Sequence, residues 1–197
     1  MRIHFISTAD EDIRYWRQHD TKIAGRVIYA GTKNTEQLIG GLFKSTNGGN
    51  SWTSSNNGIT NTNINSLAID PINSQIIYAG TSGGGVFKST NSGTSWTTAN
   101  SGLNNKNVNS LSIDPTSGQT IYAGTSGGVF KTSNGGSSWN ASNNGITDSN
   151  VQTVFIDPSN SLTLYAGTYS GGLFKSTNGG TACTTLYAPV CGTDGKT

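Results

Sequence analysis

Short runs of alternating apolar and polar residues recur along the chain at a nearly fixed spacing. Tyr78, Tyr122 and Tyr165 lie 44 and 43 residues apart, each at the same place in a pattern of apolar strand, glycine turn and second apolar strand. Apolar residues at every second position predict half-buried strands, and Gly-Gly and Asn-Gly pairs predict turns between them. No segment between residues 26 and 180 has helical periodicity. We therefore expect a repeat built from strands alone.

The third copy of the repeat shows its strands most clearly. We predict strands over residues 107–113, 120–124 and 128–132, and a fourth that begins near Ser138. Four short antiparallel strands in each period of about 43 residues are typical of a β-propeller blade. One blade buries too little apolar surface to offset the entropy of ordering it, so consecutive blades must stack. The predicted fold class is all-β, an incomplete β-propeller of about three to four four-stranded antiparallel blades in an open arc.

The repeat divides the chain into three segments. Residues 1–25 do not follow it, and there the sequence favours either a strand over 3–7 with a short helix over 10–19 that has an acidic first turn, or an irregular terminus. Residues 26–181 form the blades. Residues 182–197 form a separate C-terminal segment, because Cys183 stands where the repeat calls for tryptophan.

A polar motif, S-x-N-x-G-x-x-W, recurs along the blades, with Thr132 in place of Ser in the third copy and Cys183 in place of Trp in the fourth. It resembles the Asp-box, or BNR, repeat of sialidase-like propellers, S-x-D-x-G-x-x-W, with Asn in place of Asp. An Asn side chain can bond the backbone two residues on, and glycine accepts positive φ, so the motif predicts a tight structural hairpin. Calcium binding is the alternative, although neutral Asn lacks the charged oxygens that this cation prefers. The motif residues are Ser45, Asn47, Gly49, Trp52, Ser89, Asn91, Gly93, Trp96, Thr132, Asn134, Gly136, Trp139, Ser176, Asn178 and Gly180.

The resemblance does not bring a catalytic site with it. Sialidases of this fold use three arginines, a Tyr/Glu pair and an Asp acid, whereas this chain has no arginine after Arg26. Xyloglucanase-like propellers, which have similar Y-A-G-T and G-G-V-F-K-S-T-N-G-G runs, use two facing Asp residues. Here Asp70, Asp114 and Asp157 all stand in the same I-D-P turn, and Asp148 alone breaks the periodicity. We therefore predict that the chain is not an enzyme, with no catalytic residue, no metal and no cofactor.

The last 15 residues, C-T-T-L-Y-A-P-V-C-G-T-D-G-K-T, resemble the start of a Kazal-type serine protease inhibitor domain. The resemblance implies an inhibitory loop at Thr184, Thr185 and Leu186, with Thr185 as the primary specificity residue and an elastase-like pocket as its target. A Kazal module usually has six cysteines. The resemblance therefore implies that Cys183 and Cys191 pair with cysteines beyond Thr197, in a longer, exported protein.

Charge and hydropathy limit the classes of partner that we expect this chain to bind. Charged residues make up 11% of the chain and the formal net charge is +2, which gives no basic surface for nucleic acid. No apolar run approaches the roughly 18 residues of a membrane span, and no signal peptide is visible. We expect a non-catalytic, extracellular or cell-surface interaction module that binds an unidentified protein or glycan. The alternatives are a serine protease inhibitor, through the Kazal-type module of the intact protein, and a fragment of a sialidase-like or other glycoside hydrolase.

Two further features carry competing interpretations. One lysine follows the phenylalanine of each blade, so the four lysines form either a partial binding ring or, as we favour, outward neighbours that keep the blade edge soluble. Tyr169 interrupts a T-S-G-G pattern and is either a sugar-stacking aromatic or a variable loop residue, which we favour. The four lysines are Lys44, Lys88, Lys131 and Lys175.

Overall fold

The computed structural model describes residues 3–7, 13–18, 27–33 and 40–187, with 3–7 and 13–18 described by their backbone alone. Every helix or strand assigned in these residues is a β-strand, which confirms the all-β prediction. The strands form four antiparallel sheets, which we call blades 1 to 4 in chain order.

Blade 1 holds β1 (Ile3–Ser7), β2 (Ile13–Gln18), β3 (Ile28–Thr32), β4 (Gly41–Ser45) and β5 (Thr53–Ser54). Blade 2 holds β6 (Ile64–Ile69), β7 (Ile77–Thr81), β8 (Gly85–Ser89) and β9 (Thr97–Thr98); blade 3 holds β10 (Val108–Asp114), β11 (Ser117–Thr125), β12 (Gly128–Thr132) and β13 (Asn140–Ala141). Blade 4 holds β14 (Val151–Asp157), β15 (Asn160–Thr168), β16 (Leu173–Ser176) and β17 (Thr184–Tyr187).

Consecutive strands pair as antiparallel hairpins, so strand order within each blade follows the chain. The second repeat strand is covered on both faces, and β7 is buried at all five positions. This explains why the motif Ile-Tyr-Ala-Gly-Thr combines apolar and small residues. Strand β11 is longer than predicted because its hairpin with β10 continues to Asp114, which lies opposite Ser117.

The N-terminal helix predicted over residues 10–19 is wrong. Residues 13–18 form β2, which pairs with β1 on one side and β3 on the other. In the other blades the same edge is covered by the first repeat strand, so β2 takes that place and β1 makes blade 1 five-stranded. Because β3 offers a free row of backbone donors and acceptors, tertiary pairing overrides the local helical preference. The strand predicted over residues 3–7 is present as β1.

The hydrophobic core lies between blades rather than within them. One buried cluster joins Leu42 of blade 1 to Phe87 of blade 2, and a second joins Tyr78 of blade 2 to Trp139 of blade 3. The third joins Tyr122 of blade 3 to the apolar residues of blade 4. A single blade therefore has no core of its own, and each junction stabilises the two blades that meet there.

Side-chain amides join the inner strands of neighbouring blades. Asn65 Nδ2 donates to the Val108 carbonyl oxygen at 2.9 Å, and Asn109 Nδ2 donates to the Val151 carbonyl oxygen at 2.8 Å. These bonds place β6, β10 and β14 side by side at the inner edge. The blades therefore fan from a common side in an open arc.

Candidate functional site

The box loops, which are the S-x-N-x-G-x-x-W segments, share one hydrogen-bond pattern. In blade 2 the Gly93 amide donates to Ser89 Oγ at 2.9 Å, and Ser89 Oγ donates to Asn91 Oδ1 at 2.9 Å. Asn91 Oδ1 also accepts the Ser95 amide, and its Nδ2 donates to Ser95 Oγ. The Asn side chain thus bonds the backbone four residues on, not two as predicted, and spans the whole loop. The bonds from the backbone amides to the hydroxyl and to Oδ1 recur in blades 1, 3 and 4, although in blade 4 Ala182 has no hydroxyl to accept from the Asn178 side chain.

The box tryptophan binds the preceding blade. Trp96 Nε1 donates to the Ser55 carbonyl oxygen of blade 1, and Trp139 Nε1 donates to the Ala99 carbonyl oxygen of blade 2, both at 2.8 Å. The box tryptophan therefore joins two blades.

In blades 1 to 3, a tyrosine and a lysine converge on the box loop of the next blade. Tyr78 and Lys88 are cross-strand neighbours, so the ammonium lies 5.4 Å from the ring centroid. Tyr78 Oη and Lys88 Nζ both donate to the Gly135 carbonyl oxygen of blade 3, at 3.1 and 2.8 Å. We call this arrangement the blade clasp. Its hydrogen bonds combine with a cation–π contact in a partly desolvated place, where both are stronger than in water.

The same clasp occurs at all three junctions. Tyr29 and Lys44 donate to the Ser92 carbonyl oxygen, and Tyr122 and Lys131 donate to the Gly179 carbonyl oxygen. Neither interpretation of the lysines from the sequence foresaw this contact. The signal available was a Tyr and a Lys recurring at matched places in successive repeats.

Burial in the clasp changes the acidity of two phenols. It raises the pKa of Tyr29 to about 12. It raises the pKa of Tyr78 to about 12 as well, with the negative charge of Asp70 adding to the effect. These hydroxyls therefore remain protonated donors over the ordinary pH range.

Blade 4 replaces the box tryptophan with Cys183. The Cys183 amide still donates to the Asn144 carbonyl oxygen, as the Trp96 amide does to that of Asn57. A pocket of about 310 Å³ is lined there by residues that include Ser142 and Gly180, the counterparts of the residues that contact the Trp96 indole. Burial raises the pKa of the Cys183 thiol. The pocket therefore lies between the outer strands of blade 3 and the box loop of blade 4, and Cys183 is not among the residues that line it.

The residues assigned to an inhibitory loop lie in a strand. Thr184, Thr185 and Leu186 belong to β17, where Thr184 pairs with Lys175 and Thr185 with Phe174 of β16. All three are exposed at the outer edge of blade 4. Cys191, the other predicted disulfide residue, lies outside the described residues. The described part of this segment thus completes blade 4.

Turns and loops at one end of the strands form a surface that we call the turn face. It consists of the β7–β8, β11–β12 and β15–β16 turns and of the loops that lead into β6, β10 and β14. In blade 2 the Asn61 side chain reaches the Ser82 carbonyl oxygen of the neighbouring turn. The Gly83 amide in turn reaches the Lys106 carbonyl oxygen of the next blade. Loops and turns therefore form one continuous polar surface.

Asp148 organises the blade 4 part of this face. Its Oδ2 accepts the Ser170 amide, the Ser170 hydroxyl and the Gly171 amide at 2.7 to 2.9 Å. Its Oδ1 accepts the Asn150 amide. These hydrogen bonds hold the pKa of the Asp148 carboxyl far below its ordinary value. The bond from the Asn150 amide has the largest effect, and those from Ser170 come next. Asp148 does not break the repeat as the sequence suggested, because it fills the position of Asn61 and Asn105, which bond the amide two residues on in the same way.

Tyr169 stands on the loop that Asp148 holds. Its side chain is 77% exposed, and its amide donates to the Asn150 carbonyl oxygen. The loop backbone is therefore ordered while the ring remains open to solvent. This is the largest exposed aromatic side chain on the turn face among the described residues.

The other described carboxylates serve turns at the opposite ends of the strands. Asp70 Oδ1 accepts the Ile72 and Asn73 amides, and Asp114 Oδ1 accepts the Thr116 amide and hydroxyl. Asp157 Oδ1 accepts hydrogen bonds from the Ser159 hydroxyl and amide, and these two bonds lower the pKa of this carboxyl.

No group of three or more His, Cys, Asp or Glu residues suited to a metal occurs in the described residues. No helix in the same residues is long and apolar enough to cross a bilayer.

No protein-family model matches the sequence, and no curated protein sequence matches it. Solved structures do match the fold. An ancestral GH74 enzyme matches with a TM-score of 0.68 and 30% identity, over 83% of this chain and 23% of that chain. The GH74 xyloglucanase from Xanthomonas campestris matches with a TM-score of 0.62 and 16% identity, over 83% and 29%. YCF48 bound to D1 peptide matches with a TM-score of 0.53 and 15% identity, over 93% and 60%.

These likenesses and the four fanned sheets define the class of the protein. It is a β-propeller, with blades of four antiparallel strands and one five-stranded blade. The chain spans less than a third of the length of the two GH74 structures.

Proposed function

We propose that this chain is a non-catalytic binding module that takes a glycan at its turn face. The observation that carries the proposal is the exposed Tyr169 ring on a loop that Asp148 already orders. An aromatic ring on a preorganised loop can stack on a sugar without the entropic cost of ordering that loop. Polar side chains such as Asn105 and Lys106 continue the surface on blade 3, where hydroxyl groups find donors and acceptors.

The similarity to GH74 enzymes supports a polysaccharide as the ligand. One of these structures is named as a xyloglucanase, so a xyloglucan oligosaccharide is the natural first probe. We also propose that the box loops are Asn versions of the Asp-box, since their hydroxyl, amide and glycine positions make one recurring loop. An extracellular or cell-surface location would agree with such a ligand.

The lack of catalysis is part of the proposal. Each of the four described carboxylates, Asp70, Asp114, Asp148 and Asp157, accepts hydrogen bonds within turns. Asp148 lies on the turn face and the other three lie at the opposite ends of the strands, so no two of them face each other. Mixing the chain with xyloglucan should therefore release no reducing ends, and a measurable rate of release would overturn this part.

A fragment of a glycoside hydrolase is the second candidate. It is favoured by 30% identity to a GH74 enzyme of which this chain spans 23%. In that case the catalytic carboxylates lie in blades outside this chain. Sequencing the gene on both sides of the segment that encodes this chain distinguishes the binding module from the hydrolase fragment, because further blades with two facing Asp residues favour the hydrolase.

Protease inhibition remains a prediction for a longer protein. A Kazal-type loop must be accessible to the protease in an extended conformation, whereas Thr185 of β17 pairs here with Phe174 of β16. We expect no inhibition of elastase by this chain. Four further cysteines after Thr197 in the coding sequence would favour the inhibitor.

Titration calorimetry with xyloglucan oligosaccharides tests the glycan proposal. We expect Tyr169→Ala to weaken binding about tenfold, the loss of one stacking contact. Ile72→Ala is the matched control, since Ile72 is 74% exposed on the opposite turns. Equal losses from both variants, or binding of peptides but of no glycan, would overturn the proposal.

A further inference from the structure

The outward side of blade 4, which faces away from blade 3, carries a clasp without an acceptor. Tyr165 and Lys175 are cross-strand neighbours, and the ammonium lies 5.5 Å from the ring centroid, as in the other blades. Each of the first three blades directs its pair at a carbonyl oxygen of the following box loop. In the described residues no such carbonyl meets Tyr165 or Lys175. The donor half of a clasp is therefore formed and oriented, but unused.

Apolar residues on the same side are exposed because no described residue covers them. Leu173 is 37% exposed, although its repeat counterparts Leu42, Val86 and Val129 are completely buried by the next blade. Phe155 is 55% exposed at the position of Ala68, which is buried. A blade packed here would cover Leu173, as the next blade covers its counterparts at all three internal junctions, and Phe155, as blade 3 covers Ala68.

Blade 1 carries the complementary acceptor half. Its box loop places Gly48 at the position of Ser92, Gly135 and Gly179, with the same positive φ, and no side chain among the described residues donates to the Gly48 carbonyl oxygen. Phe43 is only partly buried, whereas its counterpart Phe87 is completely buried against the preceding blade. The exposed side of blade 1 is thus the kind of surface that the outward side of blade 4 fits.

We infer that two copies of this chain associate head to tail, with blade 4 of one copy packed against blade 1 of the other. Tyr165 Oη and Lys175 Nζ of one copy donate to the Gly48 carbonyl oxygen of the second, and Leu173 and Phe155 are buried in the contact. The occupant follows from continuity with three junctions of the same design within the chain. A head-to-tail contact either closes into a ring or grows without limit. Two copies joined at both ends make eight blades, which is within the usual range for closed propellers.

Sedimentation velocity of the full chain over a hundredfold range of concentration tests the inference. We expect a species of twice the 20.5 kDa chain mass that reaches a plateau and does not grow further. Lys175→Met and Leu173→Asn should each raise the dimer dissociation constant at least tenfold, with unchanged circular dichroism and an unchanged monomer melting temperature. Lys106→Met, which changes an exposed lysine on the turn face, should leave the dimer intact.

Three results would overturn the inference. The first is a monomer at every concentration. The second is a dimer that persists unchanged in both Lys175→Met and Leu173→Asn. The third is an oligomer whose mass rises continuously with concentration, because open growth excludes the closed eight-blade ring.

Discussion

Lys88 Nζ of blade 2 lies 2.8 Å from the Gly135 carbonyl oxygen of blade 3, over the ring of Tyr78. This contact joins two blades through a backbone atom, so it depends on the shape of the box loop rather than on one particular side chain there. At the first junction the acceptor is the Ser92 carbonyl oxygen, and Ser92 adopts a positive φ of 56°, close to the 63° of Gly135 and the 67° of Gly179. The loop conformation is therefore what each box motif contributes to the junction.

The Asn side chain should account for much of the stability of that loop. Asn91→Ala removes the acceptor for the Ser95 amide and the donor to Ser95 Oγ, so we expect a loss of about 1–2 kcal/mol in the free energy of unfolding. Asn91→Asp keeps the acceptor, and the Ser95 hydroxyl can reverse its bond, so this control should cost less than about 0.5 kcal/mol. Urea unfolding measures both. Equal losses for the two variants would show that Oδ1 does not hold the loop.

The pocket between blade 3 and the blade 4 box loop should accept an indole placed at position 183. Cys183→Trp can fill the space between Ser142 and Gly180 and donate to the Ser142 carbonyl oxygen, as Trp96 does to that of Ser55. We expect a gain of about 1–2 kcal/mol, as for other cavity-filling changes. Cys183→Ser, which leaves the pocket open, should not stabilise the chain. A lower melting temperature for Cys183→Trp than for the parent chain would contradict this account of the pocket.

Stability should fall in alkali as the clasp phenols ionise. The folded-state pKa of Tyr29 and Tyr78 is about 12 against an ordinary value of 10.0. Since the folded value is the higher one, the stabilisation is fully present below pH 10 and is lost as the pH rises from 10 to 12. Unfolding free energies across this range should decline, and less steeply in Tyr78→Phe. An identical slope in the variant would mean that this phenol does not govern the alkaline loss.

The repeat was predictable from the sequence because its signals are local. Tyr122, Phe130 and the Gly127–Gly128 turn recur in register, and alternation with turn residues is enough to define strands. The role of β2 was not predictable, because Ile13–Gln18 becomes a strand only through pairing with β3. Its acidic flank and scattered arginines favoured a helix when considered alone.

The site was predictable only in part, for a similar reason. Ser89 and Gly93 bond each other across a few residues, so spacing alone indicated a loop. The clasp joins Lys88 to Gly135, 47 positions away and in another blade, through a carbonyl that every residue type has. Asp148 was misread because its counterparts are Asn61 and Asn105, which make the same turn with a different side chain.

A comparison of one internal clasp with the terminal one tests the central claim most directly. Urea unfolding of Tyr78→Phe/Lys88→Met should show a loss of about 2–3 kcal/mol, because both donors to Gly135 and the cation–π contact are removed. The same changes in Tyr165→Phe/Lys175→Met, at concentrations where the chain is monomeric, should cost about 0.5 kcal/mol. Equal losses at the two sites would contradict the claim that these pairs stabilise the protein by joining one blade to the next.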